Sequence, residues 1–155
     1  MDATTTVEGG CGKDVWMPEY AKDLPPAPPV LGGVCPYLTV DGAGKAADFY
    51  VRAFGATKVA HHPEDEQGRT MHVHLVINGG SLMLADYYAE YGQTKVPHQG
   101  YNLLLHVDDV QAWWDRAVAA GAEVLHPLED MFWGDRYGQL RDPFGVTWAL
   151  AAPSK

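Results

Sequence analysis

The stretch YLTVDGAGKAADFYVRAFGA (37–56) reads as a strand followed by a helix, and the same order returns in YNLLLHVDDVQAWWDRAVAAGA (101–122). In the first copy VCPYLTV (34–40) is the strand. Asp41 is placed to cap a helix whose Ala46, Phe49, Tyr50 and Ala53 follow the i, i+3, i+4, i+7 pattern of a buried face, and Gly55 ends it. In the second, YNLLLHV (101–107) is the strand and Asp108 or Asp109 the cap. Val110, Trp113, Trp114, Ala117 and Val118 form the apolar face, and Gly121 closes the helix. Val40-Asp41 matches Val107-Asp108 at an offset of 67, and Arg69 matches Arg136 at the same offset. AFGA (53–56) resembles AAGA (119–122) with one residue of slippage, and Gly80 matches Gly145 at an offset of 65.

Outward from these helices the order continues to match. TKVAHH, TMHVHLVI and SLMLAD follow the first as strands, the last two joined by the turn Asn78-Gly79-Gly80. AEVL, DRYGQLRD and VTWALAA follow the second, with a turn at Pro143-Phe144-Gly145. The expected fold is α+β, two tandem βαβββ modules forming a curved mixed sheet around a trough. One helix covers one face of each four-stranded unit and nothing local covers the other, so two units placed together shape that second face into a trough suited to a small ligand. Helix-facing and trough-facing residues should alternate along each strand. The repeat is too long and too rarely repeated for a solenoid.

Residues 1–33 differ in kind: a Thr-, Gly- and Pro-rich arm in which LPPAPPVLGG (24–33) favours an extended polyproline path. It reads either as a loosely attached tail or as a segment anchored by Trp16, Met17 and Tyr20. GGCGKD (9–14) lacks the spacing, the hydroxyl residue and the preceding strand of a phosphate loop. Residues 34–152 are expected to form a single domain made of modules 34–88 and 101–152.

With 11 Lys+Arg against 20 Asp+Glu the chain carries −9, which argues against non-specific nucleic-acid binding because nothing offsets phosphate repulsion. Without the arm the body still carries −6. That charge favours a cationic ligand over an anionic one, and serves solubility equally well. No apolar run approaches the ~18 residues of a membrane helix. The acidic, polar start is unlike a signal or transit peptide, and Cys11 and Cys35 make no disulfide framework, so a cytoplasmic location is expected.

Within residues 34–152, YLTVDGAGKAADFYVRAFGA, LMLAD and above all FWGDRYGQLRDPFGVTWAL (132–150), with its Asp142-Pro143-Phe144-Gly145, resemble the vicinal-oxygen-chelate superfamily. That superfamily includes glyoxalase I, bleomycin- and fosfomycin-resistance proteins and extradiol dioxygenases, and the likeness is to its PhnB-like branch. The resemblance implies paired βαβββ modules, often dimeric, around a cavity that holds a metal in some members and none in others. Metal-using relatives place a His or Gln five residues before the Val of each first strand and a carboxylate on each fourth strand. Here those positions correspond to Cys35, Leu84, Asn102 and Ala149, which offer no ligand set for a divalent ion. No metal or cofactor is therefore expected. An atypical site from His72, His74 and His106 is the alternative, set against three hydrogen-bonded or solvated histidines.

Parity carried over from the resemblance turns Cys35, Tyr37 and Thr39 inward, with Leu38 and Val40 under the helix. It also turns inward Asn102, Leu104, His106, Thr70, His72, His74, Tyr137, Gln139 and Arg141, and gives Asp86 the inward parity of Leu84. Arg141 suits either an anionic group or an ion pair at the strand end. The expected ligand-binding residues are Tyr37, His72, His74, Asn102, His106, Trp133, Tyr137 and Gln139. Phe132, Trp133 and Tyr137 suit a planar or apolar ligand, although Trp133 could equally fill a junction. His72 is the candidate for proton transfer, since its ordinary pKa lies near neutrality. The expected function is metal-free small-molecule binding, sequestering a drug or metabolite, by a homodimer without nucleic-acid or membrane partners. The alternatives are a lyase or isomerase using an atypical metal site or histidine acid/base chemistry, and a ligand-free protein acting through dimerisation.

Overall fold

The computed structural model describes residues 18–155. Trp16, Met17 and GGCGKD (9–14) lie outside the described residues. Strand β1 (Tyr37–Val40) leads into helix α1 (Ala43–Phe54), then β2 (Thr57–His61), β3 (Val73–Ile77) and β4 (Gly80–Asp86). The order repeats as β5 (Leu103–His106), α2 (Val110–Ala120), β6 (Glu123–Asp130), β7 (Asp135–Arg141) and β8 (Thr147–Pro153). The result is two four-stranded sheets, ordered β1-β4-β3-β2 and β5-β8-β7-β6. In each the first strand runs parallel to the fourth and the other neighbours are antiparallel, so both sheets are mixed and neither closes into a barrel.

Both helices stand where their apolar periodicity places them. Ala46, Phe49, Tyr50 and Ala53 of α1 are buried, as are Val110, Trp114 and Ala117 of α2, whereas Trp113 is only partly buried and Val118, expected on the same face, is exposed. Gly55 and Gly121 end them in the left-handed region, and each glycine amide and the alanine amide after it donate back to a helix carbonyl. Asp109 caps α2, accepting from Ala112 N at 3.1 Å. Asp41 does not cap α1. Its carboxylate is exposed and pairs with Lys95, while Gly42 (φ 98°) occupies the cap position. The free amides of Gly42 and Ala43 instead donate to Asp86 at 2.7 and 3.0 Å, a cap supplied from the end of β4.

That contact corrects the parity of β4. Leu82 and Leu84 belong to the helix-facing core, Leu84 fully buried beside Leu38, and Asp86 shares their side. The open face of β4 therefore carries Ser81, Met83 and Ala85. SLMLAD has apolar residues in both phases, so alternation alone cannot distinguish its faces.

The two halves share one apolar core. Phe54 and Tyr50 of α1 pack on Trp148 of β8 with ring centroids 4.6 and 5.0 Å apart, and Arg116 Nε donates to Ala53 O at 2.9 Å between the helices. Neither α1 nor α2 covers the other face of its sheet, and most of the candidate residues stand on those two faces.

Candidate functional site

On the open face of the first sheet, the antiparallel ladder aligns His72 and His74 and brings His62, beyond β2, against them through a His62 N to His72 O bond of 2.9 Å. Ring centroids are 4.9 Å apart for His62–His72 and 6.4 Å for His72–His74. Tyr37 crosses from β1 so that its hydroxyl lies 3.0 Å from His72 Nδ1 and also donates to Met71 O at 3.2 Å. Burial lowers the pKa of His72, and the neighbouring charges of His62 and His74 lower it further. His62 is lowered likewise by burial and by His61, and burial raises that of Tyr37. His72 is thus held neutral, with a phenol against one ring nitrogen.

His74 is only 1% exposed, and its environment explains why. Its Nε2 lies 2.8 Å from Ser81 Oγ, and that hydroxyl accepts from Leu31 N at 2.8 Å while Ser81 N donates to Leu31 O at 2.9 Å. At the other end of the sheet Tyr20 packs edge-on against His62, centroids 5.9 Å apart. The described arm is therefore attached at both ends of the histidine face. Of its expected anchors, Tyr20 makes a contact that the structure describes.

The open face of the second sheet is apolar and aromatic. Leu104 is 55% exposed, Phe132 98% and Trp133 52%. The Trp133 ring meets Tyr137 at 5.7 Å and Phe132 at 5.0 Å, and His126 of β6 approaches Tyr137 at 6.5 Å. Gln139 Nε2 donates to the Tyr137 hydroxyl at 2.7 Å, which orients both polar ends. His106 is exposed, 3.8 Å from an Asp135 carboxylate oxygen. Asn102, ahead of β5, lines a cleft of about 370 Å³ between the halves with Val34, Pro36, Ile77, Leu82 and Trp148.

The expected residues thus form two groups, Tyr37, His72 and His74 on the first sheet and His106, Trp133, Tyr137 and Gln139 on the second, with Asn102 apart from both in the cleft between the halves. No hydrogen bond or ring contact among the described residues joins one group to the other. His62 and His126 were missing from the expected set. Each lies at or beyond a short apolar run that alternation could follow no further, and for His126 the interruption is Pro127, past which β6 nevertheless continues to Asp130.

The family model described as Glyoxalase/Bleomycin resistance protein/Dioxygenase superfamily matches residues 31–150. The chain belongs to this superfamily. A Mycobacterium tuberculosis relative, described as uncharacterized, is 43% identical over 124 residues, covering 76% of this chain and 72% of its own. Among solved structures, TioX from Micromonospora sp. ML1 is similar at 27% identity and TM-score 0.63, covering 80% of this chain and 98% of its own. Protein PA1353 from Pseudomonas aeruginosa is similar at 28% identity and TM-score 0.66, covering 79% and 98%. A PhnB protein from Bacillus cereus shares the fold at 23% identity and TM-score 0.58, covering 78% and 99%.

Superfamily members that use a metal need donors at the four positions identified above, and these residues do not fit one. Leu84 lies in the core facing α1, and the open-face neighbours Met83 and Ala85 offer at most a thioether. Ala149 has no donor, and Asn102 is exposed beyond the start of β5. Among the described residues no three of His, Cys, Asp or Glu stand close enough to hold an ion, and His106 is not brought to His72 and His74.

Proposed function

We infer that the protein is a metal-free binder of a planar, largely apolar small molecule, sequestering a drug or metabolite on the open face of its second sheet. The observation that carries this reading is the exposed Phe132–Trp133 pair beside a Tyr137–Gln139 couple already oriented by its own hydrogen bond. Aromatic surface of this size left in water is costly unless something covers it, and a fixed phenol and amide supply the polar contacts that set orientation. The working form in this reading is a homodimer, as the family resemblance implies. The net charge of −9 favours a cationic ligand here.

Thermal-shift screening of a panel of planar antibiotics and aromatic metabolites tests the reading. A hit should raise the melting temperature, and Trp133→Ala should abolish the rise while leaving the ligand-free melting temperature in place. A hit whose effect survives both Trp133→Ala and Gln139→Ala overturns the assignment of this face.

A second reading, a lyase or isomerase using histidine acid/base chemistry, is favoured by one observation: the neutral His72 paired with the Tyr37 hydroxyl at 3.0 Å. Turnover of an oxygenated substrate, lost in both His72→Gln and Tyr37→Phe, would establish it.

A further inference from the structure

A cleft of about 590 Å³ lies where the linker between the halves crosses the β7–β8 turn. Asp41 and Tyr87 of the first half, Lys95 to Gln99 of the linker, and Arg141, Phe144 and Gly145 of the second half line it. In a chain of net charge −9, this wall carries two fixed cations against one carboxylate. A concave wall of locally reversed sign focuses its field on a small anion.

The cations are also incompletely used. Arg69, Arg116 and Arg136 each donate hydrogen bonds to an oxygen of the chain. No hydrogen bond among the described residues engages the Arg141 guanidinium, whose nearest carboxylate, Glu123, is 3.7 Å away and largely solvated. Lys95 reaches Asp41 at 2.6 Å through a pair exposed on both sides, which a competing anion can displace at little cost. His98 spends Nδ1 on the Tyr101 hydroxyl at 2.7 Å, and no hydrogen bond among the described residues engages its Nε2. Gly145, whose φ of +87° favours glycine, places the turn beside that ring, with room for a Cβ at an ordinary 4.0 Å from His98 Cδ2. The Tyr87 and Phe144 rings and Val96-Pro97 supply apolar wall.

We propose that this inter-half cleft is a second ligand site, taking a small molecule that joins an oxyanion, carboxylate or phosphate, to a planar apolar body. The Arg141 fork and Lys95 hold the oxyanion, His98 Nε2–H donates to it, and Tyr87 and Phe144 flank the body. Because the walls come from both halves, occupancy ties them together.

The test is an amide NMR titration of the full chain with sodium benzoate, inorganic phosphate and the uncharged benzamide, at constant ionic strength and up to about 20 mM, enough to detect millimolar affinity. Benzoate should move the amides of residues 95–99 and 141–145, and benzamide should not. A matching response to phosphate assigns the affinity to the oxyanion, and a response to benzoate alone assigns part of it to the ring. Arg141→Gln should weaken benzoate binding about tenfold, the loss of one charge-assisted pair. Asp41→Asn should tighten it by freeing Lys95. Both positions are exposed, and unchanged melting of the two variants checks their folding. No movement with either anion, an equal response to benzamide, or an Arg141→Gln variant that binds like the parent overturns the proposal. The amides of Trp133 and Tyr137 report the open face in the same spectra, so each assignment stands or falls by its own signals.

Discussion

The Tyr50 hydroxyl of α1 donates to the Asp142 carboxylate of the β7–β8 turn, 92 residues away, at 2.5 Å. Asp142 is buried and also accepts from Trp148 Nε1 at 3.0 Å and from the amides of Phe144 and Val146 at 2.9 Å each. One carboxylate thereby shapes the turn and joins the two halves. A buried charge of this kind is tolerated only because four donors replace its hydration.

Removing that hydroxyl should destabilise the fold without changing its shape. Tyr50→Phe is expected to cost about 1.5–3 kcal/mol, the range for a hydrogen bond to a charged group, measured by urea unfolding at neutral pH. Burial, then the Asp142 charge and hydrogen bond, raise the Tyr50 pKa well above 10.0. The folded chain therefore keeps this proton longer than the unfolded chain. Its contribution is complete below pH 10.0 and is lost as pH rises through the folded value. From pH 10.0 up to that value the stability of Tyr50→Phe should fall less steeply than that of the parent. Parallel slopes would refute the assignment.

Ser81→Ala should detach the arm and strand a buried imidazole. The hydroxyl is the partner of both Leu31 N and His74 Nε2, so its loss is expected to cost about 1–3 kcal/mol. Hydrogen exchange at Leu31 should accelerate, and the amides of β3 should gain exposure to solvent. Protection at Leu31 equal to that of the parent would mean that other contacts hold the arm.

Acid should loosen the histidine face. His62 and His72 have pKa values below the ordinary 6.5, because burial and neighbouring His61, His62 and His74 charges disfavour the imidazolium, with Tyr20 and Tyr37 the other titratable groups against them. Between the folded values and 6.5 the unfolded chain binds more protons, so the stability they confer is complete above pH 6.5 and is lost as pH falls through the folded values. The urea midpoint should drop as pH falls below 6.5, and His72→Asn should flatten that drop. An identical pH profile in the variant would count against the mechanism.

Gly138→Ala tests the packing of α2. A Cβ at this buried position of β7 would lie 2.5 Å from Trp114 Cζ3 and 3.1 Å from Leu128 Cα, too close for either to remain in place. Overpacking of this kind costs about 1–3 kcal/mol. A combined Gly138→Ala, Trp114→Leu chain should recover part of the loss in the same urea assay.

The parity carried over from the family resemblance oriented the first strand of each half. Leu38 and Val40 are buried while Tyr37 stands out, and Leu103 and Leu105 pack on the core while Leu104 and His106 do not. SLMLAD defeated the same reading because both phases are apolar. The error at Leu84 carried Asp86 with it and concealed the cap on α1. The candidate site was legible as a set of residue types, yet its division between two sheets was not, since alternation says which side of a strand a residue takes and nothing about which sheets share a cavity.

By itself the sequence determined the two strand–helix units and the buried faces of their helices, because periodicity and glycine stops act within a few residues and need no partner. Only the tertiary structure decided that Asp86 caps α1, that Asp142 receives Tyr50, that Leu31 clasps Ser81 and that cations converge beside the linker. Those pairings join residues far apart in the chain, and their free energy exists only once the sheets have brought them within hydrogen-bonding distance.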